Sequence, residues 1–184
     1  MVHMNHNWVS KLILELVRGE LHGRALVKVI RKPQATVQRK LIQLEKENVL
    51  DAKIEGRNKV YFIKKGFSAK KYIFNAENDK FLELIDRYPF LEPIIEDVLK
   101  KCSGEMIILF GSYAKFTSTS KSDIDLYVET NNRKMKADLE NIHSKLNVKM
   151  GLFNPNDLLI REIIKNHVVI RGEEEFYEKI KFFE

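Results

Sequence analysis

Two aspartates, Asp123 and Asp125, stand at alternate positions ahead of an apolar run, Leu126-Tyr127-Val128. In a strand, alternate residues point to one face, so the two carboxylates project together. Such a pair repels unless a cation sits between them, and oxygen donors of this kind suit Mg2+ or Mn2+. Upstream, Met106–Phe110 is a short apolar run that reads as a buried strand. Gly111-Ser112 follows at once, and Tyr113-Ala114-Lys115 can begin a helix. Glycine lets backbone approach a phosphate closely, and Ser112 with the helix start offers donors to an anion. Together these residues describe a phosphate cradle facing a divalent-cation site, which is what transfer of a nucleotidyl group requires.

A lone Asp-x-Asp carries little weight; a strand, Gly-Ser, nine residues, Ser-Asp-x-Asp and a second strand carry much more. The segment Phe110–Leu126 resembles the signature of the polymerase-β-like nucleotidyltransferase superfamily, particularly its minimal members. With the flanking helices the resemblance runs from about Pro89 to Gly172. It implies Mg2+-dependent (or Mn2+-dependent) transfer of a nucleoside monophosphate from an NTP to a hydroxyl. Asp123 and Asp125 are then the catalytic metal ligands, and Gly111, Ser112 and Ser122 bind the nucleotide. The chain departs from the family pattern twice. Phe116 stands where minimal members have a second glycine, and the strand expected to bring a third carboxylate, Leu146–Phe153, has no Asp or Glu. Asn147 or Lys149 takes that face, and Glu129 and Asp157 are substitutes only from other places.

The first third must serve a different purpose. Trp8 to Lys65 carries 14 Lys/Arg against 6 Asp/Glu, a net +8, while Gly66 to Glu184 carries 18 against 20, a net −2. Such a split points the first third at a polyanion. Val9, Leu12, Ile13, Leu16 and Val17 make the stripe of one helix, with Ser10 as its candidate cap. A second helix follows Gly23. A third begins after Pro33, runs to about Asn48, and buries Val37, Leu41 and Leu44. Two extended runs, Val49–Ile54 and Lys59–Ile63, are joined by Glu55-Gly56-Arg57-Asn58, a plausible hairpin turn.

That order predicts a winged helix-turn-helix, and Leu21 to Val60 resembles archaeal and bacterial winged-helix regulators. Gln34, Thr36, Gln38, Arg39 and Lys40 would face duplex DNA from the third helix, with Arg57 and Lys59 on the wing. Protein contact, with a partner or a second copy, is the competing use of such a domain. The expected fold is α+β, with a tail at 1–7, a winged helix-turn-helix at 8–65 and a helical connector at 66–88. A small α/β nucleotidyltransferase domain with a mixed sheet occupies 89–184. The combination also looks like a group of archaeal two-domain proteins. The alternative to an enzyme is a DNA-binding regulator, or an antitoxin-like protein, whose degenerate transferase domain binds nucleotide or a partner.

Other chemistry is poorly supplied. His3, His6, His22, His143 and His167 have no metal-ligand spacing, and Cys102 stands alone without a nearby histidine. No apolar run reaches the roughly 20 residues of a membrane span. The polar start, Met1 to Asn7, lacks a signal peptide's apolar stretch. With one cysteine among 184 residues, the expectation is a cytoplasmic protein.

Overall fold

The computed structural model describes residues 8–132 and 134–184. The expected tail, with His3 and His6, lies outside them, as does Arg133. The chain divides into two compact units. One runs to Lys80 and takes in Phe183–Glu184; the other is Phe81–Phe182.

Unit one begins with helix α1, Trp8–Arg18, which turns Leu12, Ile13 and Leu16 into the core as their spacing requires. Ser10, the expected cap, lies within that helix instead, buried, and its hydroxyl donates to the Asp79 carboxylate. A two-residue strand β1, Leu21–His22, leads into α2, Gly23–Ile30, and α3, Gln34–Lys46. Arg31 takes a left-handed conformation (φ 56°) to end α2, and Pro33 stands at the start of α3. Strands β2, Leu50–Glu55, and β3, Asn58–Ile63, pair antiparallel through a turn in which Gly56 has φ +60°. β1 pairs with the other edge of β3, so the sheet order is β1-β3-β2. No sequence signal marks β1, because two residues are too few for an alternating pattern.

Helix α4, Phe67–Arg87, covers most of the stretch expected as a connector, and the division between units falls inside it. Unit two continues with α5, Leu91–Lys101, strand β4, Ile107–Phe110, and a single-turn helix α6, Gly111–Ala114. Strand β5, Ile124–Glu129, is followed by α7, Lys134–Glu140, and strand β6, Leu146–Gly151. Helix α8, Leu158–Lys165, strand β7, Val168–Arg171, and α9, Glu173–Lys179, complete it.

The four strands lie in the order β6-β5-β4-β7. β4 is antiparallel to both neighbours and β5 is parallel to β6, so the sheet is mixed, as expected. All four residues of β4 are buried, which explains why that strand reads as an unbroken apolar run. On one face Ile107, Leu109, Ile124, Leu126, Val128 and Val148 pack against α5 and Leu139 of α7. The other face carries edge-to-face rings, Tyr127 to Phe153 at 6.0 Å and Phe153 to Phe176 at 5.7 Å.

Candidate functional site

β4 ends and β5 begins at the same edge of unit two, because Phe110 pairs with Asp125. Alternation along β5 sends Ile124, Leu126 and Val128 into the core and Asp125 to the opposite face. The Asp125 carboxylate then lies across the backbone of Gly111. A Cβ at Gly111 would collide with Asp125 Oδ2, and the residue's φ is +71°. Only glycine satisfies both the conformation and the close approach. Asp123 precedes β5, is exposed, and has no hydrogen bond or ion pair among the described residues. Strand, glycine and Asp125 therefore meet at one end of the sheet, with Asp123 two residues earlier in the chain, just ahead of β5.

Ser112 is the next residue of α6, half-buried, and its carbonyl accepts the Thr117 N–H at 3.0 Å. Ser122 acts locally. Its hydroxyl accepts the Thr119 N–H at 2.9 Å and closes the loop that delivers Asp123. Phe116 replaces the second glycine in the one conformation that favours glycine, at φ 56°. The left-handed region costs an L-residue about 1–2 kcal/mol. Here the ring packs partly buried against the core, with the Arg87 guanidinium 5.7 Å from its centroid, and this offsets the strain.

Strand pairing separates the two candidates on β6. Asp125 pairs with Asn147 in the parallel β5–β6 register, and Asn147 Nδ2 donates to Asp125 Oδ1 at 2.7 Å. Lys149 pairs with Tyr127, one step further on, and is exposed. Glu129 is engaged elsewhere through one of its oxygens. It lies four residues along β5 from Asp125, and its Oε1 accepts from the Phe153 N–H and from Lys179 at 2.9 Å. Asp157 stands at the start of α8 and accepts from Asn154 at 3.4 Å. Among the described residues no group of three or more His, Cys, Asp or Glu is placed to share a metal. Two carboxylates suit one hard cation. The asparagine adds no charge and turns an N–H toward one of their oxygens.

Cys102 ends α5 and is buried; desolvation, then the nearby Glu105 charge, pushes its thiol above the usual range, so it stays protonated. His22 has a structural role that its spacing does not announce, since its Nδ1 accepts the Ala25 N–H at 3.1 Å and caps α2.

In unit one, a cleft of about 210 Å³ opens between α2, α3 and the hairpin, lined by Arg24, Gln34, Gln38, Arg57, Lys59 and Tyr61 among others. Gln34, Gln38, Arg39 and Arg57 are exposed, whereas Thr36 and Lys40 are half-buried. Lys40 donates to Gln43 at 3.2 Å. Lys59, expected to reach phosphate, is instead paired with Glu45 of α3 at 2.8 Å. Arg24, Arg39 and Arg57 have no acidic partner among the described residues.

Residues 94–176 match the family model described as Polymerase beta, Nucleotidyltransferase. The match covers less than half of the chain and supports the polymerase-β-like superfamily for that segment, with nucleotidyl transfer as its level of function. No curated protein matches the chain. Among the described residues, no helix is long and apolar enough to cross a membrane.

Proposed function

We propose that unit two is a divalent-cation-dependent nucleotidyltransferase that takes an NTP and a hydroxyl acceptor. The observation that carries this reading is the Asp125 carboxylate laid across Gly111, beside Asp123 at the same strand end. Asp123 and Asp125 would hold one Mg2+ or Mn2+, and Gly111, lacking a side chain, leaves the space that the Asp125 carboxylate occupies. The cation, when bound, neutralises charge that develops on the phosphates. Ser112 offers its hydroxyl to a phosphate oxygen, and Ser122 holds the loop. The acceptor oxygen bonds the α-phosphorus as the bond to pyrophosphate breaks, and the acceptor's proton passes to solvent. The test is transfer from NTP labelled at the α-phosphate. Label should move to an acceptor with Mg2+ and stop when the cation is chelated, and a chain that neither binds nor transfers NTP in excess Mg2+ sinks the reading.

Asn147 favours a second reading of the same site. An amide cannot take the acceptor's proton at neutral pH, so a nucleotide held by one cation without turnover fits the geometry too. The chain is then a regulator, or an antitoxin-like protein, that senses nucleotide or binds a partner.

Under both readings unit one is a winged helix-turn-helix on duplex DNA, supported by the net +8 of its sequence and the exposed α3 face. Each neutralised phosphate adds about 0.9 to the log–log dependence of affinity on salt. Arg57→Ala should lower that slope by about one unit and leave sequence preference unchanged. Lys59→Ala should do less than the sequence alone suggests, because Glu45 already holds that ammonium. A full-length chain with no salt-dependent affinity for any duplex would leave unit one as a protein-contact element.

A further inference from the structure

We infer that Tyr61 is a positioning residue that fixes the Gln38 amide to read adenine, an inference resting on the DNA-binding reading above. Tyr61 lies on β3, is 1% exposed, and sends its hydroxyl out between α2 and α3. Gln38 Nε2 donates to that hydroxyl at 3.0 Å. On the other side, the Gln38 Oε1 lies 3.7 Å from where a Cβ on Gly23 would be, ordinary contact distance. The amide is thus tied to β3 by that one hydrogen bond, and the absent side chain of Gly23 leaves its oxygen uncrowded, although the side chain is exposed to the cleft. The ring itself is steadied from β3, with the Lys59 ammonium 5.1 Å from its centroid and tied in turn to Glu45 of α3.

The chemistry of the amide decides what it can read. A glutamine amide has two N–H donors and one oxygen. Tyr61 takes one donor and leaves one N–H beside the oxygen. That remaining pair matches adenine, whose major-groove edge offers the N7 acceptor and the N6 amino donor. An unrestrained glutamine would lose side-chain freedom on binding, and it could also turn the amide over and present the opposite order. The Tyr61 hydroxyl, which can accept from the amide N–H or donate to the amide oxygen, holds the amide in place before DNA arrives and so lowers the first of these costs.

The experiment uses the full chain and a randomised duplex DNA pool, selected for binding and sequenced, followed by competition with the enriched duplex and its single-base variants. Wild type should enrich a site with a required adenine. Tyr61→Phe, which keeps the buried ring, should lower the preference for that adenine about tenfold, since one good bidentate contact is worth about 1–3 kcal/mol of discrimination. Affinity for non-specific duplex and the salt slope should stay as in wild type, readouts that a damaged fold would move. Gln38→Ala should relax the same position. The double variant Gln38→Ala/Tyr61→Phe should lose nothing more, because a residue acting through another is non-additive with it. An unchanged adenine preference in Tyr61→Phe overturns the inference and leaves DNA binding intact. So does enrichment without a required adenine, or additive losses in the double variant. If wild type has no salt-dependent duplex affinity, the DNA-binding reading itself falls, and the inference with it.

Discussion

Replacing Asp123 and Asp125 together with asparagine abolishes Mg2+-dependent NTP binding and leaves the fold in place. That is the result expected from the geometry at the end of β4. Asp123 is exposed and has no partner among the described residues, so nothing structural depends on its charge. Asp125→Asn keeps the shape that fits against Gly111, and its amide oxygen can still accept from Asn147. Two repelling charges disappear, and the melting temperature should stay within about 4 °C of wild type. Binding should fall by more than the about 10–100-fold that loss of an outer partner of a metal site typically costs. Isothermal titration of Mg2+–NTP, alongside thermal denaturation, measures both halves. Equal NTP affinity in the double variant would mean that the nucleotide sits elsewhere.

Much of this site is legible in the sequence because its parts lie close together in the chain. The Gly-Ser pair follows an apolar run that is buried along its whole length, and the acids open the next strand, so local patterning suffices. Long-range pairing cannot be read in the same way. Asn147 and Lys149 lie on one strand face and are equal candidates by spacing. Only the β5–β6 register, together with a hydrogen bond between residues 22 positions apart, separates them. The same limit hides the Lys59–Glu45 pair, which joins the hairpin to α3, and the Tyr61–Gln38 bond. Ser10 departs from expectation for a different reason. A serine near a helix start usually caps it, but tertiary contact with Asp79 prevails.

Asn147→Asp should have the opposite sign in the absence and presence of the cation. The new carboxylate would replace an N–H that now lies 2.7 Å from an Asp125 oxygen, so the metal-free variant loses a hydrogen bond and gains a repulsion. Together these should destabilise it by about 1–3 kcal/mol. Adding Mg2+ should recover that loss and more, because an ion that binds only the folded state raises its stability by mass action. The third acid would also give the acceptor's proton a destination. Positioned general bases contribute about 10²–10⁴-fold, so transfer should rise by at least the lower figure if residual turnover exists. Lys149→Asp is the control, since its partner in the register is Tyr127 and it should gain neither cation nor rate. If Asn147→Asp has no larger Mg2+-dependent rise in melting temperature than wild type, the third position is not where the pairing puts it.

The strand order has a consequence for the newborn chain. Gly111, Asp123 and Asp125 all belong to β4, β5 and the short connection between them, a closure that costs little entropy and can form early. Asn147 joins by a parallel crossover through α7, and β4 gains its other neighbour only when Val168–Arg171 arrives. Until then one edge of β4 is open, its four apolar side chains lack part of their cover, and its N–H and C=O groups are available to another chain. The carboxylate pair stands at one end of this two-stranded piece during that interval. Their two like charges also give the half-made sheet a charged end that discourages pairing between nascent copies.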